Sequence, residues 1–421
     1  MSNQNDRGGG FLLWGISLIS SKLRNRKIRK YNKQSRGLEQ HTSVSVDALF
    51  PPQSFQDNIL ISGGDDNTRL RFSQQILINA HAQNHAVIVL CSGNSSLENI
   101  ICHNNIGIIA SRQNKIFDAF TSFELHEIYH LVLDVGRAKY NINPAGRYIL
   151  QIVCELLAAQ NMKPYFANFA NFNYHKIADE INKCLSIGQI TQSKADDLNS
   201  LLAMGQSELP KIDTFFYDMN MQMSNIAAIS PNSTGGPSIL SAIRKKQIYL
   251  IDINSSANSM FMDLIASTFA IALSRGYSFA IFIDDVSLTG NDALKNVLHH
   301  TSSQNNIISS KDIFTMHNSD EQSFSTVVGL ADKTILLSHG SHISCEMWSK
   351  YIGEYDKIDT SQSSGGGWFQ SSRWGFISNQ SQTETMKREQ KIKPDEINRL
   401  SQSQIFAYDN KSGSLVQANV I

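Results

Sequence analysis

Three short stretches hold the residues whose types and spacing could do chemistry. Residues 279–288 read FAIFIDDVSL, an apolar run that ends on the acidic pair Asp284 and Asp285. A continuous apolar run suits a strand covered on both faces of a parallel sheet, and carboxylates at its carboxyl end lie in the crevice where such sheets bind ligands. Such a pair could hold magnesium and polarise an attacking water. Residues 58–62 (NILIS), followed by GGDDNTRLRF, read as strand, glycine turn and helix, the geometry of a phosphate-binding loop. His339, His342 and Cys345 have H-x-x-H-x-x-C spacing that could touch one metal, but no fourth ligand follows at a recognisable spacing.

In a working loop of the form G-x-x-x-x-G-K-[ST], glycines let backbone N–H groups close on phosphate, the lysine neutralises it and the hydroxyl holds magnesium. Counted from Gly63, the second glycine is Thr68, the lysine is Arg69 and the hydroxyl is Leu70; Gly64 follows Gly63, and then Asp65 and Asp66 stand where glycines are usual. A like-charge contact at about 4 Å costs about 4 kcal/mol at an effective dielectric near 20, so a triphosphate would be repelled. Two readings stay open: altered nucleotide binding through Gly63, Gly64, Thr68 and Arg69, or a loop kept for the fold alone. At the acidic pair, Asp285 is one carbon shorter than the glutamate usual for a general base, whose reach is about 2.6–3.2 Å. An acidic pair ending a strand is equally an ordinary helix cap or turn. G-x-S-x-G, H-E-x-x-H and strand-linked G-x-G-x-x-G patterns are missing, against hydrolase, metalloprotease and dinucleotide-binding readings.

The elements that must position these residues alternate as in α/β proteins. Strands are expected at 58–62, 86–90, 247–253, 279–284, 312–315 and 333–337, with weaker candidates at 106–110 and 130–135. A helix at 260–273 is apolar all round and belongs deep in the fold. From about 145 to 229 only helical periodicity is found, as in Ile177, Ile181 and Leu185 closed by Gly188, and Ala195, Leu198 and Leu202 closed by Gly205. Residues 360–385 are rich in Ser, Gly and Gln with Trp368, Phe369, Trp374 and Phe376 among them, which suggests a mobile loop that orders on a partner.

The 421 residues are 41% hydrophobic and 18% charged, with 37 basic against 37 acidic side chains, so nothing global argues for a polyanionic partner. Five dispersed cysteines fit reduced thiols in a cytoplasmic compartment. Residues 11–20 (FLLWGISLIS, including Phe11, Leu12, Leu13 and Trp14) are about half the roughly 20 needed to cross a bilayer. Behind them Lys22, Arg24, Arg26, Lys27, Arg29, Lys30, Lys33 and Arg36 come without an acid. That pattern would attract an anionic membrane surface, or else is a disordered basic tail, or a DNA-binding segment.

Taken in order, these parts resemble the type IV secretion coupling proteins, the TraG/TraD-like conjugative ATPases related to the FtsK/HerA translocases. SGGDDNTRL stands where that family has SGGTGSGKS, FAIFIDDVSL resembles its acidic (Walker B) strand, and REQKIKPDEINRLSQSQIFAYDNKSG at 388–413 is similar to its closing segment. The resemblance implies a RecA-like P-loop NTPase fold, α/β with a mostly parallel sheet and an all-helical insertion, assembled as an oligomer at the cytoplasmic face of the bacterial inner membrane. On that pattern the parts are a membrane-proximal segment (1–40), a first α/β part (41–144), the helical insertion (145–230), a second α/β part (231–359), a flexible loop (360–387) and a closing strand segment (388–421). The family's glutamine-bearing strand end is matched by IFTMHN, with Asn318 in place of glutamine. Because the lysine, the hydroxyl and the loop glycines are all replaced, the expected function is a non-catalytic platform, a pseudo-ATPase. It would recruit substrate or partner subunits, an active coupling ATPase among them, without a cofactor and with Asp284 and Asp285 as vestiges. The alternative is a divergent ATPase that uses ATP and magnesium to power DNA or protein transfer.

Overall fold

Strand sequences with apolar residues at nearly every position are buried on both faces, and they build one large sheet. In the computed structural model, the described residues are 8–49, 57–226, 228–229, 235–253, 259–300, 306–365 and 379–420. The strands are β1 (Leu38–Val44), β2 (Ile59–Ser62), β3 (Ala86–Cys91), β4 (Gly107–Ala110), β5 (Ile248–Asp252), β6 (Phe279–Asp284), β7 (Asn306–Ser310), β8 (Lys333–Leu336), β9 (Glu354–Gly365), β10 (Asn379–Gln390), β11 (Gln404–Asp409) and β12 (Leu415–Val420). Ten of them form one sheet in the order β1-β12-β11-β8-β2-β7-β6-β3-β5-β4. From β8 to β4 every pairing is parallel, and β11 runs against both of its neighbours. The fold is thus α/β with a mostly parallel sheet.

Alternate residues of the buried strands feed two apolar layers. Val87 and Val89 face helices Asp66–Ala82 and Ser95–His103, through Phe72, Ile76, Leu97 and Ile101. Ile88 and Leu90 face the other layer, which includes the apolar helix Ser259–Ser274 and helices Asp292–His300, Glu321–Val328 and His342–Ile352.

Between β4 and β5 the described residues contain helices and turns but no strand. Phe120, Phe166, Phe169 and Phe216 pack ring against ring at the centre of this segment. Gly188 ends its helix with φ +72°, as expected of a left-handed stop. Gly205 instead remains helical, and a Cβ there would meet Ile149, so it is kept for packing.

The structure corrects several expectations. Residues 130–135 lie in helix Leu125–Tyr140 rather than a strand: Ile128, Leu131, Val132 and Val135 are buried at helical spacing, and the Glu124 backbone N–H donates to the Glu127 carboxylate. Residues 312–315 are likewise no strand. Asp312 accepts from the N–H groups of Phe314 and Thr315 and caps helix Ile313–Met316, while the strand is β7 just before it. IFTMHN therefore does not end a strand, and Asn318 occupies a left-handed turn at φ 60°.

In the stretch expected to be a flexible loop, 360–365 and 379–387 belong to the antiparallel pair of β9 and β10, in continuous register from Glu354↔Gln390 to Gly365↔Asn379. Trp368, Phe369, Trp374 and Phe376 lie outside the described residues. The basic N-terminal run is no disordered tail but part of helix Gly8–Arg36, packed on this hairpin. Asn32 exchanges two hydrogen bonds with the Ile358 backbone, and Arg36 grips both Glu396 oxygens at 2.6 and 2.8 Å. Among the described residues no helix is long and apolar enough to cross a membrane.

Candidate functional site

The glycine turn after β2, the acidic pair after β6 and the end of β7 meet at one edge of the sheet, because β7 alone separates β2 from β6. Gly63 and Gly64 take φ +95° and +73°, which lets the chain reverse into helix Asp66–Ala82. A Cβ at Gly63 would stand 2.5 Å from His339 Cε1, so no larger residue fits. The N–H groups of these two glycines are already committed, to the carbonyl oxygens of Ser310 (3.0 Å) and Ser338 (2.7 Å). A phosphate-binding loop needs such groups free and convergent.

At the start of the helix, Asp65 is the cap. Its Oδ1 accepts from the Thr68 N–H at 2.7 Å and its Oδ2 from the Gln402 amide at 3.1 Å. The helix N-terminus, where phosphate would gain from the positive end of the dipole, thus already has an anion of its own. The Thr68 hydrogen bonds hold the Asp65 carboxyl below the usual carboxylate range.

Arg69, at the lysine position, turns inward and is only 3% exposed. Its Nη2 donates to Asp285 Oδ2 at 2.7 Å and to Asp66 Oδ1 at 2.8 Å. The other oxygen of Asp285 accepts from the Lys311 N–H at 2.9 Å, so each oxygen already has a protein donor. Asp285 is held there by a left-handed backbone, φ 51°, and by its own N–H donating to Ser309.

Asp284 faces the other way. It is buried and accepts from the Asn94 side-chain amide at 2.6 Å, fixing the turn after β3. Burial pushes its carboxyl above the usual range against the pull of that hydrogen bond. Leu70, at the hydroxyl position, packs on the apolar layer and offers no oxygen.

His339 is a satisfied core histidine: Nδ1 donates to the Leu337 carbonyl (2.9 Å) and Nε2 accepts from the Ser62 hydroxyl (3.0 Å), the neutral form that its burial favours. His342 is exposed beside Glu346, and Cys345 is buried. Among the described residues no cluster of histidine, cysteine and carboxylate could hold a metal.

The residues at this site do not fit a magnesium–triphosphate. The cation at the lysine position is neutralised by two carboxylates, the N–H groups of Gly63 and Gly64 are engaged, and Asp65, Asp66 and Asp285 would face the phosphates. The contributions of Asn94, Lys311 and Gln402 had no sequence signal, because each comes from a different, distant connection. Of the N-terminal set expected at a membrane, the side chains of Phe11, Leu12, Leu13 and Trp14 lie outside the described residues. Lys22, Arg26 and Lys27 are exposed, and Arg24 pairs with Glu384.

No protein-family model matches the chain, and no curated protein is similar to it in sequence. Solved structures are similar in fold. The bacterial conjugative coupling protein TrwBdeltaN70, in its unbound form, superposes with a TM-score of 0.50 at 12% identity, over 94% of this chain and 91% of that one. Plasmid coupling protein TrwB in complex with the non-hydrolysable ATP analogue ADPNP gives 0.47 at 12% identity, over 93% and 91%. VirB4 of Thermoanaerobacter pseudethanolicus gives 0.34 at 8% identity, over 70% and 80%. Across almost its whole length the chain therefore shares the α/β fold of TrwBdeltaN70, with its mostly parallel sheet.

Proposed function

We propose that the chain is a non-catalytic, coupling-protein-like component of a type IV secretion or conjugation apparatus, an assembly platform that works without nucleotide. The observation that carries the reading is the buried Arg69 guanidinium bridging Asp285 and Asp66. It supplies internally the charge balance that lysine, magnesium and phosphate provide in a working site, and it occupies the second acid. Phosphoryl transfer depends on electrostatic stabilisation of developing charge, and the guanidinium at the lysine position is already engaged by two carboxylates. The partners that suit this reading are other subunits of the apparatus, an active coupling ATPase among them, with the exposed Lys22, Arg26 and Lys27 turned to the cytoplasmic face of the inner membrane.

Calorimetry with magnesium ATP or GTP tests it, and no saturable binding is expected. Micromolar binding that Asp284→Ala abolishes would overturn the proposal. So would steady-state phosphate release, in the presence of DNA and anionic vesicles, that is lost in Arg69→Ala.

A further inference from the structure

The sheet has a second crevice of the kind that opens at β2. After β3 the chain enters helix Ser95–His103, on the layer that also holds Asp66–Ala82; after β5 and β6 it enters Ser259–Ser274 and Asp292–His300, on the opposite layer. β3 lies between β6 and β5, so the connection leaving it diverges from both neighbours. Parallel strands whose connections diverge in this way leave a gap beyond their carboxyl ends, and such gaps are where open α/β sheets take ligands.

On the β6 side the gap is filled by Asn94 reaching Asp284. On the β5 side the described residues leave it open. The cavity there has a volume of about 640 Å³ and is bounded by Gly93, Glu98 and Asp252, and by Arg112 and Lys115 from the connection after β4. That size is within the roughly 300–1,000 Å³ usual for small-ligand sites.

The lining divides by charge. Asp252 is buried at the end of β5 and accepts from the Gly93 N–H at 2.9 Å. Glu98 lies close enough that, after burial itself, the Asp252 charge is what most raises its carboxyl above the usual range. Glu98 also has a hydrogen bond to the Ser111 side chain, and because each carboxylate oxygen carries two lone pairs, both carboxylates can accept in addition from a molecule with vicinal hydroxyls. Arg112 and Lys115 are exposed and form no ion pair among the described residues, which suits a phosphate dianion. A bare anion would meet the carboxylates, a bare cation the two basic side chains, and an apolar molecule would find little beyond Ile226.

We propose that the crevice between β3 and β5 binds a phosphorylated sugar, its hydroxyls donating to Asp252 and Glu98 and its phosphate accepting from Arg112 and Lys115. The inference is independent of the reading given to the β2 loop. Its test is calorimetric titration of the full chain with ribose 5-phosphate, with ribose and inorganic phosphate as separate titrants at one ionic strength.

Ribose 5-phosphate is expected to bind saturably and more tightly than either control. Binding should weaken about tenfold or more in Arg112→Ala/Lys115→Ala and in Glu98→Gln, and should be unchanged in Arg71→Ala, which removes an exposed cation beside the β2 loop. The basic side chains are exposed, so an unchanged unfolding midpoint in their variant separates lost binding from lost folding. Equal affinity for inorganic phosphate and ribose 5-phosphate would overturn the proposal, as would the absence of saturable binding, or binding lost in Arg71→Ala but kept in the Arg112→Ala/Lys115→Ala variant.

Discussion

At the residue scale the structure turns on Arg69. A guanidinium that is 3% exposed is stable only because its charge is met, and Asp285, about one-third exposed, meets it most closely. Removing one partner of such a pair costs far more than the pair contributes, because the survivor stays desolvated and alone. Arg69→Met is expected to lower unfolding stability by about 1–3 kcal/mol, the lower end reflecting solvent access to Asp285. Adding Asp285→Asn should recover much of that loss, and urea unfolding of the four-protein cycle measures the coupling. Arg69→Lys keeps the charge but loses the fork that spans two carboxylates, so an intermediate loss is expected. A basic residue at the lysine position was legible in the sequence. Its use was not, because Asp285 lies 216 residues further along the chain and either aspartate could as well have capped a turn.

At the scale of elements, two junctions carry predictions. Asp118 lies where the chain leaves β4 for the helical segment. It accepts from the N–H groups of Phe120 and Thr121, and its own N–H donates to the Pro237 carbonyl. Burial pushes its carboxyl up to about 6 against 3.8 for the free group. A carboxyl raised in the folded state contributes stability below the unfolded value that is lost as pH rises through the folded one. Asp118→Asn, which does not titrate, should therefore gain on the native chain by about 3 kcal/mol between about pH 4 and pH 7, read from the pH dependence of urea midpoints. A gap that does not widen with pH would refute this.

The N-terminal helix makes the other junction. Asn32 supplies both a donor and an acceptor to the Ile358 backbone, so Asn32→Ala should speed exchange of the Ile358 amide about tenfold by native-state hydrogen exchange. Strands such as β3, β5 and β6 were legible because burial on both faces demands unbroken apolar runs. Residues 130–135 were misread because a short apolar run fits strand and helix alike, and what decided between them was the Glu124–Glu127 cap outside it. The β9–β10 hairpin gave no apolar signal at all; its long register is held by backbone pairing and by charge pairs such as Lys357 with Glu389.

At the scale of the whole molecule, the two ends of the chain close the same sheet edge. β12 pairs with β1 in parallel and with β11 in antiparallel, and contributes the buried Leu415, Ala418 and Val420. β1 is the outermost of the described strands, so among them β12 is its one partner in the sheet. A chain ending before Leu415 would leave β1 unpaired and turn β11 into an exposed edge, with donors and acceptors open to solvent. The parallel block from β8 to β4 does not depend on that pairing and should survive. Limited proteolysis of the shortened chain should therefore cut first within residues 38–49, while the helix Gly8–Arg36 stays docked through Asn32 and Arg36. Uniform cleavage across the chain would mean instead that β12 is needed for the whole sheet. Full protection of 38–49 would mean that β1 is held by something other than its strand partner.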